Sequence, residues 1–135
     1  MKTFDQLSQW SHAYRVPCIS PETKEFLIET CLKHKPVHCC EIGTARGVSA
    51  CTIGTILQTW KGKLITTEIT YPDYRIACDT LSQNQLMGTV TPIYADALKI
   101  SWERILTEQL DFLFVDGQKR QYGEYLERLW PFLRK

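Results

Sequence analysis

The chain has 135 residues, 44% of them hydrophobic and 23% charged, with seven glycines and six prolines. That is the balance of one globular domain and excludes a disordered or collagen-like chain. Sixteen Lys and Arg against fifteen Asp and Glu leave a formal charge of +1, so no long-range field draws it to nucleic acid or anionic lipid.

No run reaches the ~18 apolar residues of a membrane helix. Met1-Lys2-Thr3-Phe4-Asp5-Gln6 turns polar where a secretory leader turns apolar, so a cytosolic location is expected. Phe4–Arg15 is predicted as a helix with Phe4, Leu7, Trp10, Ser11 and Tyr14 on one face, stopped by Pro17. A second helix starts at Ser20-Pro21-Glu22, where Ser20 caps and Pro21 takes the first helical position, and runs to about Lys35 with Phe26, Leu27, Cys31 and Leu32 inward. Val37–Ile42 is a β-prone segment ending in Glu41 just before Gly43. After the Gly43–Gly47 turn, Ile53, Ile56, Leu57 and Trp60 recur at helical spacing until Lys61-Gly62.

Leu64–Ile69 is the second predicted strand. A helix then starts at Pro72-Asp73, carries Ile76, Ala77, Leu81 and Leu86, and ends at Gly88. Thr89–Tyr94 is the third strand, followed by a helix over about Ala97–Glu108. Leu110–Asp116 is the fourth strand; its Phe112–Val115 run is apolar on both faces, as in a parallel strand covered on both sides. The last predicted helix, about Gln121–Lys135, presents Tyr122, Tyr125, Leu126, Leu129 and Leu133 on one side. This alternation predicts an α/β fold with a parallel sheet, right-handed crossovers and one domain over 1–135.

In such sheets ligands bind beyond the carboxyl ends of the strands. Each predicted strand here ends in or near a carboxylate: Glu41, Glu68, Asp96 and Asp116. Gly43 and Gly47 let the backbone of the first strand–helix turn approach a ligand closely. The spacing G-x-x-x-G lacks the glycine pair of a dinucleotide fingerprint, and Glu41 would repel a pyrophosphate. Glu68, beyond the loop, suits both hydroxyls of a ribose. Together these favour a nucleoside carrying positive charge. The six cysteines, Cys18, Cys31, Cys39, Cys40, Cys51 and Cys78, include no C-x-x-C pair and read as reduced apolar side chains. His38, Cys39 and Cys40 alternate faces of a strand, so they do not converge on a metal. Trp10, Trp60, Trp102 and Trp130 lie on four helices and read as packing.

Four stretches carry a resemblance: Glu41-Ile-Gly43-Thr-Ala-Arg-Gly47-Val-Ser49-Ala50, Thr66-Thr-Glu68-Ile69, Ala95-Asp96-Ala97-Leu98, and Phe112-Leu-Phe-Val-Asp116-Gly-Gln-Lys119-Arg-Gln-Tyr122. In this order they resemble the class I S-adenosylmethionine-dependent O-methyltransferases with a Rossmann-like fold. The likeness is greatest to the metal-dependent catechol and caffeoyl-CoA group, which includes bacterial methyltransferases of tRNA hydroxyuridine. Val16–Glu22 resembles that group's leading segment as well.

The resemblance implies that Ile19 and Ser49 contact the methionine end of S-adenosylmethionine, with Glu41, Gly43 and Gly47 shaping its loop. It further implies that Glu68 holds the ribose, that Asp96 and Ala97 line the adenine, and that Asp116 borders the cofactor and binds Mg²⁺. Lys119 would be the general base, and the acceptor a hydroxyl of a catechol-like molecule or of tRNA hydroxyuridine. A solvated lysine has a pKa of ~10.4, so Lys119 would need burial or a nearby cation. Ala45 stands where the family often has a further glycine, and Arg46 is bulkier than most.

The resembled sheet has seven strands in the order 3-2-1-4-5-7-6, and its fifth strand ends in an Asp-Asn pair that completes the Mg²⁺ site. This chain supplies the first four strands and no such pair. It is therefore expected to be about two-thirds of the domain, the N-terminal part, cut by choice of boundary, gene truncation or a stop codon read as glycine. Its fourth strand would be an edge, with four large side chains short of cover at ~1.5–3 kcal/mol each. The alternatives are a catalytically incomplete cofactor-binding module or a self-associating homo-oligomer.

Overall fold

The computed structural model describes residues 20–116 and 119–134, the side chain of Lys119 excepted. The predicted helix over Phe4–Arg15 lies outside these residues. Helix α1 (Pro21–His34) starts as its sequence dictates: Ser20 Oγ accepts the Thr23 amide at 3.1 Å, and Pro21 occupies the first turn. Leu27 and Cys31 are buried, whereas Phe26 and Leu32 are 65% and 53% exposed, which corrects the inward face predicted for all four. Successive helical residues turn by about 100°, so Phe26 and Leu32 fall on opposite flanks of the Leu27–Cys31 stripe.

Strand β1 (His38–Ile42) leads to helix α2 (Val48–Leu57), β2 (Lys63–Glu68), α3 (Tyr71–Gln83) and β3 (Val90–Tyr94). Helix α4 (Trp102–Ile105), β4 (Phe112–Val115) and α5 (Tyr122–Leu129) complete the order. The sheet is parallel, ordered β3-β2-β1-β4, with Cys40 beside Ile65 on one side and Leu113 on the other. On one face, α1, α2 and α3 enclose a core of Leu27, Cys31, Ile53, Leu57, Leu81 and Val90, joined by Phe112 and Phe114. On the opposite face, Trp102, Leu106, Leu110, Tyr125 and Leu129 pack with Ile42, Leu113 and Val115. The two-faced character of Phe112–Val115 is thus realised.

Helix α2 approaches the sheet so closely that a Cβ on Gly54 would stand 2.7 Å from Val90 Cγ2. Gly54→Ala is expected to lower stability by about 1–2 kcal/mol, because overpacking outweighs the gain in helix propensity. Denaturant unfolding checks this.

The described cysteines carry no disulfide, Cys31, Cys39 and Cys40 being buried and Cys51 partly so, while Cys18 lies outside the described residues. Burial pushes the Cys51 thiol up to about 12, and the negative Glu41 adds to the rise. Among the described residues, no helix is long and apolar enough to cross a membrane.

Three predicted boundaries need correction. Helix α3 ends at Gln83, not at Gly88; Gln85 takes the left-handed conformation at φ 59°, and Leu86 fills the core from the following turn. The helix predicted over Ala97–Glu108 shrinks to Trp102–Ile105, because the Asp96 side chain accepts the Leu98 amide at 2.9 Å and its carbonyl accepts Lys99 at 2.9 Å. Such an Asx turn competes with helix for the same amides. The last helix leaves its axis at Trp130-Pro131, where Pro131 cannot continue the ladder. Leu126 is 46% exposed instead of inward, and Leu133 forms a parallel bridge with Leu110.

β3 and β4 are the two edges of the sheet. β3 carries Pro92, which has no amide hydrogen to offer a neighbour. β4 has no proline, and all four of its residues are partly exposed. Among the described residues, its start alone is covered: the Leu110 amide donates to Phe132 O at 2.7 Å, and the Arg134 amide donates to Leu110 O at 2.8 Å. Asp111 fastens that end, accepting the Val37 and His38 amides at 3.0 Å and pairing with Arg134 Nε at 2.6 Å.

Candidate functional site

The carboxyl ends of all four strands open into a cleft of about 430 Å³, within the ordinary range for small-molecule sites. Five residues singled out by sequence line it: Gly43, Glu68, Asp96, Ala97 and Asp116. Glu41, Gly47 and Ser49 are buried behind its wall. Ile19 and the side chain of Lys119 lie outside the described residues. Thr70, Asp73, Tyr122 and Tyr125 also line the cleft. Sequence reading had placed Asp73 at a helix start and Tyr125 in a core stripe, so neither carried a site signal; Tyr122 stood at the end of a recognised motif without a role.

The turn after β1 is fixed by β2. The Gly43 and Thr44 amides both donate to Thr67 O, at 2.9 and 3.1 Å, and the Ala45 amide donates to Glu68 Oε1 at 2.7 Å. Glu68 Oε2 accepts the Thr70 amide at 2.9 Å. The three turn amides are therefore engaged within the protein and do not form a phosphate cradle, in agreement with the missing dinucleotide fingerprint. Each Glu68 oxygen keeps a lone pair for a further donor.

Gly43 and Gly47 adopt φ of 88° and 92°, and a Cβ on Gly47 would meet Ala77 Cα at 3.2 Å. Ala45 between them is also left-handed, at φ 50°. An L-residue bears roughly 1–2 kcal/mol there, partly offset by the greater chain entropy glycine would lose. Ala45→Gly is thus expected to raise stability by about 0.5–1 kcal/mol; a lower melting temperature would contradict this account of the turn. Arg46 swings to α3, its Nε 3.0 Å from Asp73 Oδ1.

Beneath the turn, Glu41 is fully buried. Thr66 Oγ1 donates to its Oε1 at 2.6 Å, and Ser49 Oγ donates to its Oε2. The Thr44 hydroxyl faces it without full hydrogen-bond geometry and is a buried polar atom with no partner. Desolvation raises the Glu41 carboxyl to about 7 against the lowering pull of these hydroxyls, with the Asp116 charge adding to the rise. On the opposite wall, the Trp102 indole donates to Ala97 O at 2.9 Å, which fixes the Asp96–Ala97 segment.

The residues present suit a nucleoside cofactor: a cleft at the sheet's switch point, an acidic group held at its wall, and an orphaned buried hydroxyl behind it. They do not suit Mg²⁺, because no group of three His, Cys, Asp or Glu that could hold a metal occurs among the described residues.

The O-methyltransferase family matches residues 9–135. The chain belongs to that family. Its fold recurs in an O-methyltransferase of Bacillus cereus solved with S-adenosylhomocysteine: TM-score 0.85, 25% identity, 99% of this chain and 63% of that one. It recurs in TomG of Streptomyces achromogenes, an O-methyltransferase of tomaymycin synthesis solved with S-adenosylmethionine: TM-score 0.86, 23% identity, 97% and 60%. A candidate caffeoyl-CoA O-methyltransferase from Staphylococcus aureus aligns at TM-score 0.89 and 22% identity, over 99% and 63%. The fold is that of the Rossmann-like methyltransferases, and the chain spans about three-fifths of the length of these proteins.

Proposed function

We propose that the chain binds S-adenosylmethionine and belongs to an enzyme that methylates an acceptor hydroxyl, on a small catechol-like molecule or a tRNA hydroxyuridine. The observation that carries this is Glu68, presented at the cleft wall by the Ala45 and Thr70 amides. Family membership and the cofactor-bound relatives support it. When bound, the cofactor supplies an electrophilic methyl carbon on a sulfonium.

Glu68 accepts the two ribose hydroxyls, and Asp96 with Ala97 borders the adenine. Gly43 and Gly47 shape the turn against the methionine end, with Glu41 holding Ser49 behind it; Ile19 and Ser49 complete that end. Asp116 sits opposite, its negative charge favouring the sulfonium. Lys119 takes the acceptor proton, and the site works by aligning acceptor oxygen, methyl carbon and sulfur. No step is assigned to Mg²⁺.

Calorimetric titration with S-adenosylmethionine tests the reading: one site is expected, and an absence of heat at millimolar cofactor would overturn it. That no three-residue metal cluster occurs among the described residues supports a second reading, a cofactor-binding module without turnover. Methyl transfer to catechol or a hydroxyuridine-containing tRNA, assayed with and without Mg²⁺, separates the two.

A further inference from the structure

Two turns present Glu68 to the cleft. The turn after β1 supplies the Ala45 amide to Glu68 Oε1 at 2.7 Å, and the turn after β2 supplies the Thr70 amide to Oε2 at 2.9 Å. The direction of the carboxylate is therefore set by the spacing of the two turns. The second is rigid, because Thr70 O accepts the Tyr74 amide at 2.9 Å and so belongs to the start of α3. The first is strained: Gly43, Ala45 and Gly47 all take positive φ, and Ala45 is not a glycine. What seats it is α3. Gly47 lies against Ala77, where a Cβ would stand 3.2 Å from Cα, and Arg46 Nε donates to Asp73 Oδ1 at 3.0 Å. Asp73 and Ala77 are four residues apart and share one face of that helix, so neighbouring residues of the turn rest on neighbouring positions of α3. The side chains of Arg46 and Asp73 are only 19% and 25% exposed, a setting in which salt and solvent screen a charge-assisted bond less than at the open surface.

We infer that the Arg46–Asp73 pair is a positioning device for the ribose: it holds the turn after β1 at the spacing from α3 at which the Ala45 amide reaches Glu68. Arg46 is thus a positioning residue that acts through Ala45 and Glu68. This rests on the proposed place of Glu68 at the ribose hydroxyls.

Calorimetric titration of the whole chain with S-adenosylhomocysteine and with its 2′,3′-dideoxy analogue reads the ribose contact alone. Arg46→Met keeps the apolar stem and removes the guanidinium. It is expected to weaken S-adenosylhomocysteine about three- to tenfold, the scale of one part-buried ion pair, and to leave the dideoxy analogue unchanged. Equal weakening of both ligands, the mark of a general loss of structure, overturns the inference. Asp73→Ala removes the acceptor and leaves the guanidinium in place, so with the double variant it isolates the pair from any other contact of Arg46. The double variant should bind no more weakly than the weaker single one, and additive losses overturn the inference. A measurement free of ligand accompanies these: hydrogen exchange at the Ala45 amide should be about three- to tenfold faster in either single variant than in the wild type, and equal rates also overturn it. A wild type that binds both ligands alike removes Glu68 from the ribose and overturns the proposed function beneath the inference. The exchange rates, which need no ligand, tell that failure from a failure of the pair to hold the turn.

Discussion

Glu68→Ala is expected to weaken binding of S-adenosylhomocysteine by roughly a hundredfold to ten-thousandfold. Two hydrogen bonds from ribose hydroxyls to one carboxylate contribute about 1.5–3 kcal/mol each, and each 1.4 kcal/mol is tenfold in affinity. The variant also leaves the Ala45 and Thr70 amides without their acceptor. These lie at part-buried positions, so a stability loss of about 2 kcal/mol should accompany the loss of binding. Glu68→Gln gives little rescue. Its amide has one acceptor oxygen for two backbone donors, and its NH₂ end would face a second N–H. Calorimetry checks affinity and denaturant unfolding checks stability; binding within twofold of the wild type would remove Glu68 from the site.

Glu41→Gln is expected to act in the opposite sense on stability, increasingly so as the pH rises from about 4.5 to 7. The carboxyl titrates near 7 in the fold against an ordinary value of 4.5. Between those values the native state holds a proton that the unfolded chain has released, so stability falls as pH rises through this window. Below about pH 4 both states are protonated and the effect vanishes. Above about pH 8 the full penalty applies, roughly 3 kcal/mol at 1.36 kcal/mol per pKa unit. Glutamine bears no charge, accepts one of the Thr66 and Ser49 hydroxyls and donates to the other. The variant should therefore gain up to roughly 3 kcal/mol at pH 8 and little at pH 4.5. Equal gains at both values would show that ionisation is not the cause.

The fold was legible because its signals are local and repeated. Alternating helical and extended periodicities, with Gly and Pro between them, place each described strand to within about two residues. Strand-end carboxylates located the cleft, since side chains that end parallel strands must face the same rim. Less legible were contacts in which one short side chain overrides a longer pattern. Asp96 bends 97–100 into a turn by capturing Leu98, although the apolar spacing through Leu106 reads as helix. Pro131 redirects Leu133 from a helical stripe into a bridge with Leu110. In the cleft, sequence identified the acidic residues but not what they hold. That Glu68 grips a turn 23 residues away, and that Ser49 faces Glu41, depends on packing between elements that no local pattern encodes.

The two sheet edges differ in the backbone they offer a further strand. Among the described residues, Pro92 leaves the free side of β3 one amide donor short, whereas β4 carries no such interruption. A strand added to this sheet therefore finds the fuller row of backbone partners beside β4, next to the strand end that carries Asp116.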